Sequence, residues 1–221
     1  MKLEELPPIQ QLILKRALEK GSEVRLAELS HEAQKLVRYR ASAALHQNSV
    51  LLERKGFIER RHDGRAVIVR VRPVWIQPLR RLFGIRAPLC YMGLMNKPML
   101  GRTPIIRQSL NVLKDVNVDV ERVVVVASEE GRREGEYCLR EYQPDWVIVD
   151  PHDYEECFKK IEDKVVELLP REEVICDLTG GTKLMSLALS DVAMKYGLRR
   201  FFTLTDARRI IWLVIRGARG V

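Results

Sequence analysis

Four mainly apolar segments in the second part of the chain constrain its fold more than any other feature. They occupy residues 89–95, 122–127, 146–150 and 174–178, and segments with helical spacing of apolar residues lie between them. Mainly apolar segments of this length are typical of strands that are buried on both faces. Strands that alternate with helices predict an α/β domain in which helices cover both faces of a mostly parallel sheet.

The last two apolar segments predict an exception to the parallel arrangement. Residues 201–205 and 210–215 are strand candidates, and only a short turn at residues 206–208 joins them. A tight turn connects antiparallel neighbours, because parallel strands need a long crossover connection. We therefore expect an antiparallel pair at the end of the sheet.

The segment after the fourth run has the composition of an anion-binding turn. Asp177-Leu178-Thr179-Gly180-Gly181-Thr182-Lys183 follows a strand and opens a helix predicted over residues 184–196. Glycines allow close approach of the backbone to a phosphate, and a helix N-terminus offers unpaired N–H groups. Two threonine hydroxyls and the Lys183 charge add to this. The alternative is a glycine turn that only tightens a crossover.

Ligands of parallel sheets bind beyond the carboxyl ends of the strands. This rule places three loops together, at residues 95–103, 127–131 and 179–183. The glycine turn lacks the first glycine of Gly-x-x-x-x-Gly-Lys-Ser/Thr, which disfavours a nucleoside triphosphatase. No Gly-x-Gly-x-x-Gly follows the first strand, so a dinucleotide is disfavoured as well. No cofactor is expected.

The cysteines and the N-terminus indicate the cellular setting. Cys90, Cys138, Cys157 and Cys176 are scattered without a Cys-x-x-Cys pair, so we expect no metal site. No apolar run reaches the roughly 18 residues of a membrane helix. The acidic N-terminus is unlike a signal peptide. These features predict a cytoplasmic protein without a membrane partner.

The positive charge of the chain is confined to its first part. Residues 1–84 contain 17 Lys and Arg against 9 Asp and Glu, whereas residues 85–221 contain 21 of each. The whole net charge of +8 therefore lies before residue 85. Such asymmetry indicates a nucleic-acid partner for the first part, although a solvated basic surface would have the same composition.

The first part has the element order of a small α+β domain. Helical patterns at residues 8–20, 26–36 and 41–55 precede two alternating runs, 57–62 and 65–71, around Asp63-Gly64. Asp-Gly between alternating runs is a strong hairpin signal. Residues 52–60 resemble the end of the recognition helix and the start of the wing in winged helix-turn-helix regulators. That resemblance implies double-stranded DNA binding by residues 1–72, or else a protein-interaction module.

The winged-helix geometry assigns expected roles to the polar residues. The N-terminal part of the recognition helix faces the major groove. Gln and Asn side chains suit adenine there, although His46 is equally interpreted as an exposed helix residue. The residues expected at base edges are Ser42, His46, Gln47 and Asn48, those expected at phosphates are Arg38 and Arg40, and those expected at the wing are Arg60, Arg61 and Arg65.

A short apolar segment separates the two parts. Residues 73–87 contain prolines and Gly84, but also Trp75, Ile76 and Leu79. The segment is too apolar for a solvated linker. We predict a short helix that packs between the two domains or across a dimer interface.

The glycine turn also carries a family resemblance. Residues 177–185 resemble the Asp-x-Thr-Gly-Gly-Thr-Lys-x-Met signature of CARF domains, the CRISPR-associated Rossmann fold. The resemblance implies a Rossmann-like domain over residues 88–221 that forms a homodimer and binds cyclic oligoadenylate. A cyclic tetra-adenylate is a two-fold symmetric polyanion, which fits a site shared by two protomers. The implied ligand-binding residues are Asn96, Lys97, Gly101, Arg102, Thr103, Ser128, Thr179, Gly180, Gly181, Thr182 and Lys183.

Two functional interpretations follow from this resemblance. The first is a CRISPR-associated transcription regulator of antiviral defence that senses the messenger; the second is a ring nuclease that cleaves it, with Lys183 as the catalytic candidate. All four histidines are expected to lie away from the cleft. CARF regulators of the known pattern carry the winged helix after the CARF domain, whereas here it comes first. No nuclease segment follows in the sequence, which disfavours nuclease effectors.

Overall fold

The computed structural model describes residues 5–38, 40–95 and 104–213. The described chain forms two units, which divide between residues 86 and 87. Each unit has its own buried apolar core. The predicted residues Asn96, Lys97, Gly101, Arg102 and Thr103 lie outside the described part of the chain.

The first unit combines helices with a three-stranded antiparallel sheet in the order β1-β3-β2. The three predicted helical segments and the predicted hairpin are present. The second helical segment is shorter than predicted, because residues 26–29 form a 3₁₀ turn instead of α-helix. The elements are α1 (Pro8–Glu19), β1 (Glu23–Arg25), α2 (Ser30–Gln34), α3 (Ala41–Arg54), β2 (Ile58–Asp63), β3 (Ala66–Val71) and α4 (Pro73–Phe83).

The hairpin turn lies one residue later than the sequence indicates. Asp63 pairs with Ala66, so the turn consists of Gly64 and Arg65. Gly64 has a φ of +57°, a conformation that side chains other than glycine adopt at a cost. Arg65 is thereby presented at the tip, where it is exposed.

Helix α4 packs on the first unit itself. The Trp75 indole Nε1 donates to the Gly56 carbonyl oxygen over 3.0 Å, at the C-terminal end of α3. The Trp75 ring lies 4.7 Å from the Phe57 ring, centroid to centroid. Ile76 and Leu79 are buried. The apolar residues that distinguish this segment from a solvated linker therefore complete the core of the first unit.

The second unit is an α/β domain with a six-stranded sheet in the order β6-β5-β4-β7-β8-β9. All neighbours are parallel except β8 and β9, which are antiparallel. Both predictions about the sheet are confirmed. The elements are β4 (Leu89–Met95), α5 (Ile105–Asp115), β5 (Arg122–Ala127), α6 (Glu129–Leu139), β6 (Asp145–Ile148), α7 (Tyr154–Leu168), β7 (Glu173–Asp177), α8 (Lys183–Lys195), β8 (Arg199–Leu204) and β9 (Arg209–Leu213).

Strand β4 is the point at which the strand order reverses. The chain runs outward from β4 through β5 to β6, and α7 then returns it to the other side of β4, where β7 pairs. A crossover that reverses direction places its helices on the opposite face of the sheet. The crevice at the carboxyl ends of β4 and β7 is therefore the expected ligand site of such a sheet.

Two cores flank this sheet. On one face, Tyr91, Val125, Ile175 and Phe201 pack with α5 and α6. On the other, α7 and α8 pack together and are joined by hydrogen bonds such as Tyr154 to Asp191 over 2.9 Å. Among the described residues, no helix combines the length and apolar character needed to cross a bilayer.

The start of α5 differs from its prediction. In the sequence, Thr103-Pro104 indicates a helix with Thr103 as N-cap and Pro104 as first helical residue, but the helix begins at Ile105 and Pro104 is its N-cap without a side-chain cap. The residue before a proline is biased towards extended backbone. Pro104 itself has a ψ of 138°, which lies outside the helical region, so the helix starts one residue later.

Candidate functional site at the carboxyl end of β7

Asp177, the last residue of β7, holds the glycine turn through hydrogen bonds. Its carboxylate is 1 % exposed and accepts hydrogen bonds from the Tyr91 hydroxyl over 2.7 Å and from the Thr179 backbone N–H over 2.9 Å. The Thr179 hydroxyl donates to the same carboxylate. A buried carboxylate needs such partners, since an unpaired one is costly. Asp177 therefore holds the turn in place and does not face the cleft.

The hydroxyl groups of the turn are engaged within the protein. Thr179 Oγ1 accepts from the Thr203 backbone N–H over 2.7 Å. Thr182 Oγ1 caps α8 by accepting from the Met185 N–H over 3.3 Å, and it donates to the Pro151 carbonyl oxygen over 2.8 Å. Both hydroxyls that the sequence offers for phosphate or ribose groups thus have structural partners. The Thr179 backbone N–H already donates to Asp177, whereas the Thr182 backbone N–H makes no hydrogen bond to any described residue.

The two glycines are required by the packing of the turn on β4. A Cβ at Gly180 would overlap the carbonyl oxygen of Leu94 and lie 3.3 Å from its carbonyl carbon. A Cβ at Gly181 would lie 2.8 Å from the Leu94 Cβ, and Gly181 has a φ of +77°. The turn therefore lies directly against the central strand. The sequence left open whether the glycines allow ligand approach or only tighten the crossover, and these contacts give them a packing role in either case.

The groups that remain free on the turn are donors. The backbone N–H groups of Gly180, Gly181 and Lys183 make no hydrogen bond to any residue that the structure describes. The Lys183 side chain is exposed and has no ion-pair partner within that same part of the chain. Unpaired N–H groups at the start of α8 add the positive end of the helix dipole. The arrangement suits an anion.

A fourth loop, residues 149–153, lies beside the turn. The Thr182 hydroxyl reaches its Pro151 carbonyl oxygen, and the Cys157 thiol holds its base by donating to the Asp150 carbonyl oxygen over 3.2 Å. The next residue, His152, is exposed. His152 therefore follows directly after a residue that contacts the turn, and the expectation that all four histidines lie away from the cleft stays a prediction. Packing of α7 against α8 brings the loop there, and sequence spacing gave no signal of it.

Ser128 lies at the carboxyl end of β5 as the N-cap of α6. Its hydroxyl oxygen accepts from the Gly131 backbone N–H over 3.0 Å. The hydroxyl proton has no partner among the described residues. Ser128 can therefore still donate to a ligand while it caps the helix, and its assignment as a ligand contact stays a prediction.

Some DNA-binding candidates of the first unit are exposed, and others have side chains that make contacts within the protein. An exposed face of α3 carries Ser42, His46 and Gln47. Four arginines expected at phosphates or at the wing are also exposed, although Arg61 lies 3.6 Å from Glu23. These four are Arg38, Arg40, Arg61 and Arg65.

Asn48 is engaged in the packing of α1 on α3. Its Oδ1 accepts from Gln10 Nε2 over 3.1 Å, and its Nδ2 donates to the Ala44 carbonyl oxygen over 2.9 Å. Gln10 is itself buried and accepts from Lys55 Nζ. Because both the oxygen and the nitrogen of this amide already make hydrogen bonds within the protein, few of its hydrogen-bonding positions remain for a base edge. The structure assigns Asn48 a packing role.

Arg60 lies beneath the exposed face of α3 instead of at the wing tip. Its backbone N–H donates to Glu53 Oε1 over 3.0 Å, and its guanidinium lies 3.7 Å from the same carboxylate. The guanidinium also lies 3.4 Å from Nδ1 of His46. Arg60 therefore supports His46 on α3 and is largely buried.

The thiols near the site remain protonated. Burial raises the pKa of Cys157 to about 11, and the carboxylates of Glu156 and Asp153 act in the same direction. Burial raises the pKa of Cys176 further. A neutral thiol is a poor nucleophile. Among the described residues, no group of three His, Cys, Asp or Glu side chains is arranged to hold a metal ion.

Comparison with protein families finds a match over just under half of the chain. Residues 111–219 match the Card1 CARF domain family. This segment is similar to a CARF domain. The match begins within α5 and includes the whole glycine turn, so the family resemblance of residues 177–185 and the match agree. No curated protein matches the chain.

Solved structures similar to this chain include three proteins. Can2 from Sulfobacillus thermosulfidooxidans, in complex with cyclic tetra-adenylate, has 21% identity and a TM-score of 0.43 over 57% of this chain and 34% of its own. VC1899 from Vibrio cholerae has 12% identity and a TM-score of 0.45 over 60% and 35%. Enterococcus italicus Csm6, bound to cyclic hexa-2'-fluoro-hexa-dAMP, has 13% identity and a TM-score of 0.45 over 58% and 41%. The chain thus matches about a third to two fifths of each.

Proposed function

We propose that this protein binds a cyclic oligoadenylate at the glycine turn of its CARF domain and that binding changes its affinity for DNA. One observation carries the proposal: the segment Asp177 to Lys183, which has the CARF signature, lies at the switch point of the sheet with donors that no described residue uses. The family match of residues 111–219 supports the class of ligand.

The chemistry of the turn favours a phosphate of the ligand over its base. Backbone N–H groups and an ammonium donate hydrogen bonds without recognising a base edge, and charge-assisted bonds to phosphate are the stronger ones. Gly180 and Gly181 bring this backbone to the edge of the cleft. A cyclic oligonucleotide presents phosphates at regular intervals, so two copies of the turn in a dimer would bind equivalent phosphates of one ring.

Isothermal titration calorimetry tests this part of the proposal. Cyclic tetra-adenylate and cyclic hexa-adenylate are titrated into the full chain, with linear tetra-adenylate as the matched control. We expect one ring to bind per two chains and the linear form to bind more weakly. Absence of binding by both rings at micromolar protein would overturn the ligand assignment.

The first unit supports DNA as the second partner. Helices and strands follow one another in the order α1, β1, α2, α3, β2, β3, which is the order of a winged helix. The exposed face of α3 carries Ser42, His46 and Gln47, and Arg65 lies at the tip of the hairpin. The whole net charge of +8 lies in this part of the sequence. Phosphate contacts by Arg65 and by the exposed Arg38, Arg40 and Arg61 would position α3 for base readout.

Selection of duplexes from a random pool tests the DNA proposal. Affinity for the selected duplex is then measured with and without cyclic tetra-adenylate and at two salt concentrations. We expect salt-dependent binding and a change of affinity with the ligand, as linkage between two sites requires. Salt-independent or absent binding would favour a protein-interaction module, and unchanged affinity would remove the sensor role.

An exposed apolar stripe on α8 supports the homodimer. Leu184, Leu187 and Met194 lie on one face of the helix and are 36%, 51% and 53% exposed. The stripe begins directly after Lys183. Exposed apolar groups beside a binding site are typical of an interaction surface. A second copy on this stripe would place the two glycine turns close together.

Replacing Leu187 by glutamate is expected to shift the protein from dimer to monomer. The substitution places a charge in an interface that loses apolar area, and an unpaired buried charge is strongly unfavourable. Sedimentation velocity at about micromolar concentrations measures the change. Leu51→Glu is the control, since Leu51 is also an exposed leucine (43%) but lies in the first unit. Identical sedimentation of the two variants would contradict the prediction.

Cleavage of the bound ring is the second candidate function, and the position of His152 favours it. The Thr182 hydroxyl donates to the carbonyl of Pro151, the residue before His152, and His152 is exposed. In such a reaction a ribose 2′-oxygen bonds to the adjacent phosphorus, the P–O5′ bond breaks, and the leaving 5′-oxygen takes up a proton from water. His152 would accept the 2′-hydroxyl proton, and Lys183 would stabilise the charge that develops on the phosphorane.

Incubation with labelled cyclic tetra-adenylate tests this second function. Linear di-adenylate with a terminal 2′,3′-cyclic phosphate is the expected product. His152→Ala should then slow cleavage without loss of binding, whereas His62→Ala, at an exposed histidine of the first unit, should not. Recovery of intact ring after prolonged incubation would leave a sensor without nuclease activity.

A further inference from the structure

We propose that Tyr91 is a positioning residue for the ligand-binding turn, acting through Asp177. The proposal rests on the proposed ligand function. Tyr91 lies on β4, has 0% exposed surface, and cannot contact a ligand in the cleft. Its hydroxyl nevertheless reaches the carboxylate that holds the turn.

The two oxygens of Asp177 serve different parts of the structure. Oδ2 accepts from the Tyr91 hydroxyl over 2.7 Å. Oδ1 accepts from the backbone N–H and the hydroxyl of Thr179. Tyr91 on β4 therefore fixes the orientation of the Asp177 carboxylate, and the carboxylate in turn fixes the position of Thr179. Thr179 is joined in addition to β8 through the Thr203 N–H.

Gly93 makes this contact possible. Gly93 pairs with Asp177 across the two strands, so it lies between Tyr91 and the turn. A Cβ at Gly93 would lie 2.7 Å from the ring carbon Cζ of Tyr91. The tyrosine ring thus lies along β4 over the glycine. A side chain at position 93 would therefore push the Tyr91 ring away from Asp177.

The Tyr91 hydroxyl is a permanent donor at neutral pH. Burial raises the pKa of Tyr91 well above its ordinary value, and the Asp177 carboxylate raises it further. A hydrogen bond from a neutral hydroxyl to a buried carboxylate is strong, and removal of the donor leaves one carboxylate oxygen without it. Without that donor, Asp177 can rotate, and the N–H groups that follow Thr179 lose their fixed direction.

Tyr91→Phe tests the proposal, because it removes only the hydroxyl. Tyr196→Phe is the matched control: its hydroxyl also donates to a carboxylate over 2.7 Å, that of Glu162, but at the other end of α8. We expect Tyr91→Phe to weaken binding of cyclic tetra-adenylate about 10-fold, as loss of a charge-assisted hydrogen bond does, with affinity unchanged in the control. Equal affinities of the two variants would overturn the proposal.

A double-mutant cycle separates positioning from a general loss of stability. If Tyr91 acts through Asp177 and Thr179, its effect on affinity should largely disappear in a Thr179→Val background, whereas a purely structural effect should add. Additive effects would overturn the inference.

Hydrogen–deuterium exchange of the ligand-free chain distinguishes this inference from the proposed function. Tyr91→Phe should speed exchange in the peptide covering residues 178–186 at least several-fold relative to Tyr196→Phe. If wild-type protein fails to bind either ring but the exchange responds, the ligand assignment fails and the positioning role stands. If exchange in that peptide is unchanged, the positioning role fails, whatever the wild type binds.

Discussion

Gly180→Ala is expected to abolish ligand binding and to lower the stability of the second unit. The added Cβ would overlap the Leu94 carbonyl oxygen, and Leu94 is held in the sheet by the parallel pairing of β4 with β5. Overpacking of this kind costs about 1–3 kcal/mol. The melting temperature of a chain of this size would fall by about 2–4 °C for each kcal/mol. The turn would be displaced from β4, so its N–H groups would no longer converge on one phosphate.

Gly135→Ala is the matched control for this prediction. A Cβ there would meet the terminal Cε of Met95 at 2.5 Å, a flexible side-chain end that can move away. Gly135 lies within α6, where alanine is the better helix former by about 1 kcal/mol. We expect little change in melting temperature for this variant. Scanning calorimetry and titration with cyclic tetra-adenylate measure both quantities, and similar behaviour of the two variants would contradict the packing argument.

Lys183→Ala is expected to weaken binding of cyclic tetra-adenylate by about 10- to 100-fold, since a hydrogen bond to a charged group contributes about 1.5–3 kcal/mol. The melting temperature should change little, because Lys183 is exposed and has no ion pair within the described chain. Binding by wild type should weaken with salt, and the salt dependence should be smaller for the variant.

The control for Lys183 lies on the same helix. Lys195 is a lysine of α8 that pairs with Glu162 over 2.6 Å at the far end. Lys195→Ala should leave ligand affinity unchanged, although it removes the same charge from the same element. If the two variants bind with equal affinity, the contribution of Lys183 is a general effect of charge and not a contact.

The sheet and the glycine turn were predictable because their signals are local. The apolar runs at residues 89–95 and 122–127 are strands with the same bounds in the structure. The order of the strands around β4 follows from connection rules that apply to any alternating α/β chain. The turn could be located because a strand, two glycines and a helix adjoin one another within a few residues.

The remaining features of the site depend on packing between distant segments. His152 lies beside the turn because α7 packs on α8, and 30 residues separate it from Thr182. The hydroxyls of Thr179 and Thr182 were predicted as ligand contacts, but their structural partners, Thr203 and Pro151, are not neighbours in sequence. Asn48 has the correct helix position for base readout, yet its side-chain oxygen accepts a hydrogen bond from Gln10 of another helix. A single sequence carries no signal for such contacts.

The attachment of α4 to the first unit has a consequence for producing that unit in isolation. A fragment that ends at residue 72 would lack Trp75, so the Gly56 carbonyl would lose its donor and the ring of Phe57 its partner. The surfaces that Ile76 and Leu79 cover would be opened to water. A fragment that extends to residue 86 keeps all of these contacts. The minimal autonomous form of the DNA-binding candidate is therefore the longer fragment, which extends fourteen residues beyond residue 72.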